Sequence, residues 1–445
     1  MTTETVATTP TPQQKETKGG GYFVSNYPPF NFWSKDKVSA IHSAMDSPGD
    51  PGTPLGLYLH IPFCRKRCHF CYYKVYTDKN SSEIRNYIDG MTHEMEMYAG
   101  KKVLEDRHLQ YVYFGGGTPS FLSPHQLTNL VATLKNTLHW DQVEEVTFEC
   151  EPGTLTEAKL EAIREIGVTR LSLGIENYDD HILEINGRAH RSPEIRRAYD
   201  FARSIGFPQI NIDLIAGMIG ETDENWTDCV QRTLDLEPDS ITIYQMEIPF
   251  NTTIYKEMKE KGQTTAPVAD WETKRRWVDE AFSALEERGY SISSAYTAVK
   301  NPETTQFVYR DSLWSGADML ALGVSSFGQF KGVHYQNEKD DGPYLGRVHN
   351  DELPINRAHP MTDEERLVRE VILNFKKGWL DRGYFQKKFN VDIYDRFKEN
   401  FAEIQKEGYL TLNEDKAVLN REGLLRVDTF LHSFFLPEHK PTATK

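Results

Sequence analysis

Six short runs between residues 55 and 248 are almost continuously apolar or β-branched: LGLYLHI, LQYVYFGG, EVTFECE, TRLSLGIE, QINIDLIAG and SITIYQMEI. Between them lie stretches with helical spacing of apolar positions, among them PHQLTNLVATLKNTL, TEAKLEAIREIG and SPEIRRAYDFARSIG. Strands that need no polar face, alternating with helices, predict a parallel sheet covered on both sides. Six units predict either an open barrel or a doubly wound sheet, since a closed barrel takes eight.

The flanks read differently. Residues 1–20 offer little to bury and are predicted to be a disordered tail. Residues 21–54 are an arm and linker, opening with the aromatic and proline-rich GYFVSNYPPFNFW and closing with SPGDPGTP. The six units place the core at 55–330, and the polar run at 331–360 is predicted to be an irregular connection. Residues 361–437 begin with a capping-box spacing, Thr362 to Glu365, continue through the helical DIYDRFKENFAEIQKEG and reach the hairpin-like YLTLNEDKAVLN. Helices followed by a small wing predict a winged-helix-like α+β module, and 438–445 is a short tail.

Composition narrows the partners. The chain has 445 residues, 38% hydrophobic and 26% charged, and a formal net charge of −15, with both signs mixed along the helices. That leaves no broad basic face for nucleic acid, and the wing-like module shares the mixed charge. No run approaches the roughly 18 to 20 apolar residues of a membrane span, and the Thr/Pro/Gln-rich start lacks the apolar core of a secretion signal. A cytoplasmic monomer is the expectation.

Cysteine use is uneven. Of five cysteines, Cys64, Cys68 and Cys71 fall in HIPFCRKRCHFCYYK, directly after the first predicted strand. An odd, clustered set does not suit a disulfide framework, so the cluster reads as metal-binding or redox-active. Zinc completed by His60 or His69 is one reading, although structural zinc usually draws two short-spaced pairs from separate turns. A [4Fe-4S] cluster is the other: three thiolates leave one iron open to a small molecule, and Arg65, Lys66 and Arg67 would favour thiolates. Cys150 and Cys229 read as buried structural thiols, and Met218 and Met246 as packing residues.

The CxxxCxxC spacing with Phe70 before the last cysteine, preceded by LYLHIPF, resembles the radical S-adenosylmethionine (SAM) superfamily. The resemblance implies that the open iron is chelated by SAM, which is cleaved reductively to a 5'-deoxyadenosyl radical. The turn YFGGGTPS, with Gly115, Gly116, Gly117 and Thr118, lets backbone approach a ligand closely after the second strand. Glu149, Glu176, Arg188 and Asp213 fall at or just after the third, fourth and fifth strands, the end where parallel α/β enzymes carry their sites.

Across nearly the whole chain, the order LYLHIPFCRKRCHFC, GGGTPS, EVTFECEPG, RLSLGIENY, INGRAH, NIDLIAG and LALGVSSFG resembles the oxygen-independent coproporphyrinogen III oxidase-like family. That family includes heme chaperones and class C radical methyltransferases. The resemblance implies an incomplete (β/α)6 TIM-like barrel with a [4Fe-4S] cluster on Cys64, Cys68 and Cys71 and two SAM molecules. It implies that Tyr58, Gly116, Gly117 and Thr118 contact SAM, and that Glu149, Arg188 and Asp213 bind its carboxylate and ribose or the second copy. Glu176 belongs to the same predicted cofactor site. A flavodoxin- or ferredoxin-type donor would supply low-potential electrons.

Departures from the pattern separate the branches. Tyr73 stands where the oxidases carry a fourth cysteine, Glu176 where they carry glutamine, and Met218-Ile219 where they carry Leu-Pro. VYRDSLW keeps only Trp314 of the chaperones' His-Asn-x-x-Tyr-Trp motif. Neither difference impedes radical methylation, so C-methylation of an unsaturated or aromatic, apolar, conjugated or tetrapyrrole substrate is the expected activity. Coproporphyrinogen decarboxylation, heme trafficking and a zinc-stapled interaction protein are the alternatives. The aromatic arm (Tyr22, Phe23, Tyr27, Phe30, Phe32, Trp33) and LGVSSFGQF are expected to cover the barrel mouth.

Overall fold

The computed structural model describes residues 23–440 together with the short strand Thr17–Lys18, which pairs antiparallel with Thr265–Ala266. The rest of the predicted 1–20 tail, Tyr22 of the arm and residues 441–445 lie outside the described residues.

All six predicted strands form: β1 (Leu55–Ile61), β2 (Tyr111–Gly116), β3 (Glu145–Cys150), β4 (Arg170–Glu176), β5 (Gln209–Ala216) and β6 (Ser240–Gln245). They pair in parallel in chain order, each with the next. Alternation along each strand divides the molecule. Leu57, Leu59, Val112, Phe114, Val146, Phe148, Leu171, Leu173, Ile210, Ile212, Ile241 and Ile243 are buried in one continuous apolar core. The intervening positions are largely polar: Tyr58, Tyr113, Glu145, Thr147, Glu149, Ser172, Asn211, Asp213, Ser240 and Thr242. Several bond one another across strands, as in Ser240 Oγ to Asn211 Oδ1 at 2.8 Å and Asn211 Nδ2 to Ser172 Oγ at 3.0 Å.

The barrel is open. On its other side β1 pairs in parallel with β7 (Asp318–Leu322), which continues antiparallel into β8 (Phe327–Phe330), β9 (Val333–Asn337) and β10 (Ile355–Pro360). β6 pairs antiparallel with Thr297–Val299, so the sheet has two free ends. The helix Val308–Trp314 lies against the amino ends of the strands. Glu145 Oε2 accepts from Val308 N at 2.9 Å and from Arg170 at 3.1 Å, and the Arg170 guanidinium lies 3.7 Å over Phe307. The carboxyl ends of the strands therefore face the remaining opening.

Residues 331–360 correct the expectation of an irregular connection: they supply β9, β10 and the helix Asp341–Val348. Their polarity is buried and bonded. Asn337 donates to Glu94 at 2.6 Å, and His334 stacks on Trp33 at 4.9 Å. The expected 438–445 tail also begins too early, because His439 is buried with Nδ1 2.6 Å from the Tyr27 hydroxyl. The arm holds a helix, Val38–Met45, that its sequence did not suggest.

Beyond β10, a second apolar core forms around the helix Asp363–Phe375, whose capping box of Thr362 and Glu365 closes as the spacing predicts. Trp379–Asp381, Lys416–Leu419 and Leu410–Leu412 make a three-stranded antiparallel wing. The second helical run breaks at Phe397 into Ile393–Arg396 and Lys398–Lys406.

Candidate active site

A cavity of about 550 Å³ opens at the carboxyl ends of the parallel strands. Cys64, Cys68, Cys71, Gly116, Gly117, Thr118, Glu149, Glu176, Arg188 and Asp213 all line it. Tyr58 does not: it stacks on Tyr113 with centroids 5.9 Å apart and holds its hydroxyl 3.1 Å from His60 Nδ1. Tyr58 also approaches the glycine turn, where a Cβ at Gly115 would lie 3.1 Å from its ring and 3.2 Å from Glu149 Oε2.

The loop after β1 carries the thiols and is pinned by backbone bonds. Tyr76 N donates to Pro62 O at 2.7 Å, Cys64 N to Tyr76 O at 3.0 Å, and His69 N to Asn186 O at 3.0 Å. Gly117 N donates to Ile61 O at 2.8 Å, and a Cβ at Gly117 would lie 2.9 to 3.0 Å from backbone atoms of residues 61–63. Only glycine lets the second strand's turn lie this close to the thiol loop.

Each thiol has a distinct surrounding. Thr118 Oγ1 donates to Cys64 Sγ at 3.3 Å, and Arg188 Nη1 to Cys68 Sγ at 3.3 Å. Burial pushes the Cys64 thiol up to about 12 and the Cys71 thiol up to about 11, so a metal must displace their protons. The neighbouring basic residues are already engaged: Arg65 forks onto Glu151 at 2.9 and 3.0 Å, and Arg67 donates to Cys71 O at 3.0 Å.

The donor set bears on the kind of metal. One tetrahedral zinc with bonds near 2.3 Å requires sulfurs roughly 3.8 Å apart. Among the described residues, the group that brings three ligand atoms within 4.8 Å of one another is His108, His139 and Asp141, away from this cavity. Three thiols on one loop offer a metal centre three sulfur ligands and leave any further coordination to another group.

The floor is acidic. Glu149 accepts from Tyr113 Oη at 2.6 Å and Gly116 N at 3.2 Å, and Asp213 accepts from Ser172 Oγ and Asn211 Nδ2, both at 2.9 Å. Glu176 holds left-handed backbone at φ 67° and lies 3.6 Å from Arg188 Nη2. Burial raises Glu149 to about 7, Glu176 to about 7 and Asp213 to about 6, and like charge adds to the rise at Glu149 and Glu176. Glu151 behaves oppositely: hydrogen bonds from His190 and Arg65 outweigh its desolvation and hold it at about 2.

Several lining residues escaped the sequence analysis: Glu151, Tyr244, Tyr296, Trp271 and Arg426. Glu151 and Tyr244 were detectable, as Glu151 directly follows β3 and Tyr244 is the penultimate residue of β6. Arg426 comes from the C-terminal module, and nothing local in its sequence marks it. Of the expected cover, Phe23 and Ser25 reach the cavity. Phe30 packs on Phe327 and Trp33 on His334, away from it.

A model of the Radical SAM superfamily matches residues 58–232, the span from β1 through the helix after β5. The chain carries a radical SAM domain. It is homologous to the heme chaperone HemW of Bacillus subtilis, 26% identical over 373 residues covering 83% of this chain and 96% of that protein. It is equally similar to the oxygen-independent coproporphyrinogen III oxidase of Helicobacter pylori, at 26% over 402 residues and 86% of each. The structure of coproporphyrinogen III oxidase (HemN) from Escherichia coli superposes with a TM-score of 0.81 at 24% identity, covering 93% of this chain and 96% of that one, so the fold is shared. A radical SAM domain implies a [4Fe-4S] cluster and SAM, and the chain is an enzyme of that chemistry. No helix among the described residues is long and apolar enough to cross a membrane.

Proposed function

We propose that the enzyme methylates a carbon of a conjugated, apolar, tetrapyrrole-like substrate, with Cys64, Cys68 and Cys71 holding the cluster and two SAM molecules sharing the cavity. When bound, the cluster and one SAM supply a 5'-deoxyadenosyl radical, and the second SAM supplies the methyl carbon. Overall, substrate C–H, two SAM and two electrons from a low-potential donor give methylated substrate, S-adenosylhomocysteine, methionine and 5'-deoxyadenosine.

The carrying observation is the cluster of carboxylates at the strand ends: Glu149, Glu176 and Asp213 line the cavity together, with Arg188 3.6 Å from Glu176. Carboxylates buried at the strand ends suit cationic sulfonium and ammonium groups. Gly116 and Gly117 give backbone access beside the thiol loop, and Thr118 keeps a hydroxyl on Cys64. Tyr72, Tyr73 and Tyr244 present aromatic faces, each more than two-fifths exposed, for a flat ring to lie against.

Oxidative decarboxylation of coproporphyrinogen III is the second reading, favoured by homology along most of the chain. Anaerobic turnover with analysis of nucleoside products decides between them. Methylation requires S-adenosylhomocysteine beside 5'-deoxyadenosine; 5'-deoxyadenosine with carbon dioxide and no homocysteine product overturns it. A heme chaperone would bind heme without turnover. Zinc without iron or sulfide in anaerobically purified protein would overturn all three in favour of a zinc-stapled interaction protein.

A further inference from the structure

At the amino ends of the strands, away from the cavity, two loops bring a second set of metal-ligating side chains together. The loop before β2 runs beside the loop between the helix Pro124–Thr137 and β3. His108 and His139 form a parallel bridge there, and Leu109 N donates to His139 O at 2.9 Å. Paired residues of adjacent extended segments put their side chains on one face, and the two imidazole centroids are 5.0 Å apart. Asp141 returns to the same place, with Oδ1 2.9 Å from His108 Nδ1. One ligand atom from each of the three residues lies within 4.8 Å of the other two. The surroundings suit a cation. A smaller cavity of about 220 Å³ shares His139 with this group and adds Glu105 and Asp106 to its lining, while Arg107 in the same lining is engaged 2.7 Å from buried Asp318.

A tetrahedral zinc with bonds of about 2.0 to 2.1 Å places its nitrogen and oxygen ligands roughly 3.4 Å apart. The edge from His108 to Asp141 is already within that span, and His139 and Asp141 are exposed, so side-chain rotation alone can close the third corner. Two imidazoles and one carboxylate select late first-row divalent ions, whereas Mg²⁺ and Ca²⁺ take oxygen ligands. We propose that His108, His139 and Asp141 form a zinc-binding site separate from the thiol loop, with a fourth position left to water. The ion ties the loop leading into β2 to the loop leading into β3, a clamp at the end of the barrel remote from the chemistry. The site does not depend on which reaction the cavity performs.

The test titrates Zn²⁺ alone into the full, cluster-loaded chain by anaerobic calorimetry, with iron and sulfide measured before and after in the same preparation. Wild type is expected to take up one zinc per chain with its iron retained, and Mg²⁺ is expected to give no such binding. His139→Ala and Asp141→Asn change exposed side chains, so the fold should be kept, as circular dichroism would confirm. Each should weaken the zinc equivalent by about 10- to 100-fold or more, because losing even an outer partner of a metal ligand costs that much. A wild type that takes up no zinc, zinc binding unchanged in both variants, or Mg²⁺ binding as tightly as Zn²⁺ overturns the proposal. Zinc entering the thiol loop instead would release iron and persist in both variants, so failure of the cluster and failure of this site give different results.

Discussion

Arg188 donates to Cys68 Sγ at 3.3 Å and, through its other terminal nitrogen, lies 3.6 Å from Glu176. One side chain from the turn after the short helix Asp180–Ile185 therefore links the proposed metal ligands to the acidic floor. Although burial opposes its charge, the Cys68 thiol and the Glu176 and Glu151 carboxylates hold its pKa above the ordinary guanidinium value. Arg188→Met leaves Glu176 buried without a cation and is expected to cost about 3 kcal/mol or more of stability. Chemical denaturation of the cofactor-free chain checks this, and a loss below about 1 kcal/mol would show that the pair is not coupled in solution.

Gly117→Ala tests the seam between the two ligand-bearing turns. The new methyl would meet backbone of residues 61–63 at 2.9 to 3.0 Å, and backbone cannot swing aside as a side chain would. The thiol loop must shift, so iron and sulfide content after anaerobic reconstitution should fall sharply while far-ultraviolet circular dichroism is retained. Full cluster content in the variant would contradict the tight packing.

The parallel strands were legible because apolar and β-branched residues recur along each and turn residues bound it; predicted and observed limits differ by a few residues. The cavity residues at the strand ends were legible for the same reason, since position along a parallel strand fixes which end a side chain occupies. Residues 331–360 were not, because His334, Gln336 and Asn337 are buried through partners distant in sequence. Arg426 depends on the docking of a separate core, which no local pattern encodes.

The acidic floor predicts a pH dependence of defined sign. Glu149 and Glu176 titrate near 7 and Asp213 near 6 in the folded chain, above their ordinary values of 4.5 and 3.8. Between roughly pH 4 and pH 7 the folded state then binds more protons than the unfolded state, and stability falls as pH rises through that window. Buried Glu94 and Glu221, each raised to about 8, act in the same direction. The triple variant Glu149→Gln, Glu176→Gln, Asp213→Asn should therefore show a shallower decline than wild type without abolishing it. Affinity for cationic SAM should run the other way, rising with pH in wild type and flat in the variant. Denaturation and equilibrium dialysis across the window measure both; parallel slopes in the two proteins would refute the assignment.

Lys376 and Asp428 offer a test of how the C-terminal module closes the cavity. Lys376 is almost fully buried, 3.1 Å from Asp428 and 3.8 Å over the Phe23 ring, and desolvation lowers its pKa. Asp428 also accepts from Tyr296 Oη and from Val24 N, so the pair joins the arm, the barrel and the C-terminal core. Asp428→Asn strands a buried ammonium and should cost about 3 to 5 kcal/mol, whereas Lys376→Met with Asp428→Leu removes both charges and should recover most of that loss. Tyr296 and Phe23 line the cavity, so the single variant should also weaken porphyrin binding more than the double one does. Urea denaturation and ligand titration of the three proteins measure this coupling. A double variant as unstable as the single would mean that the pair's hydrogen bonds to Tyr296 and Val24, rather than its charge balance, hold the three parts together.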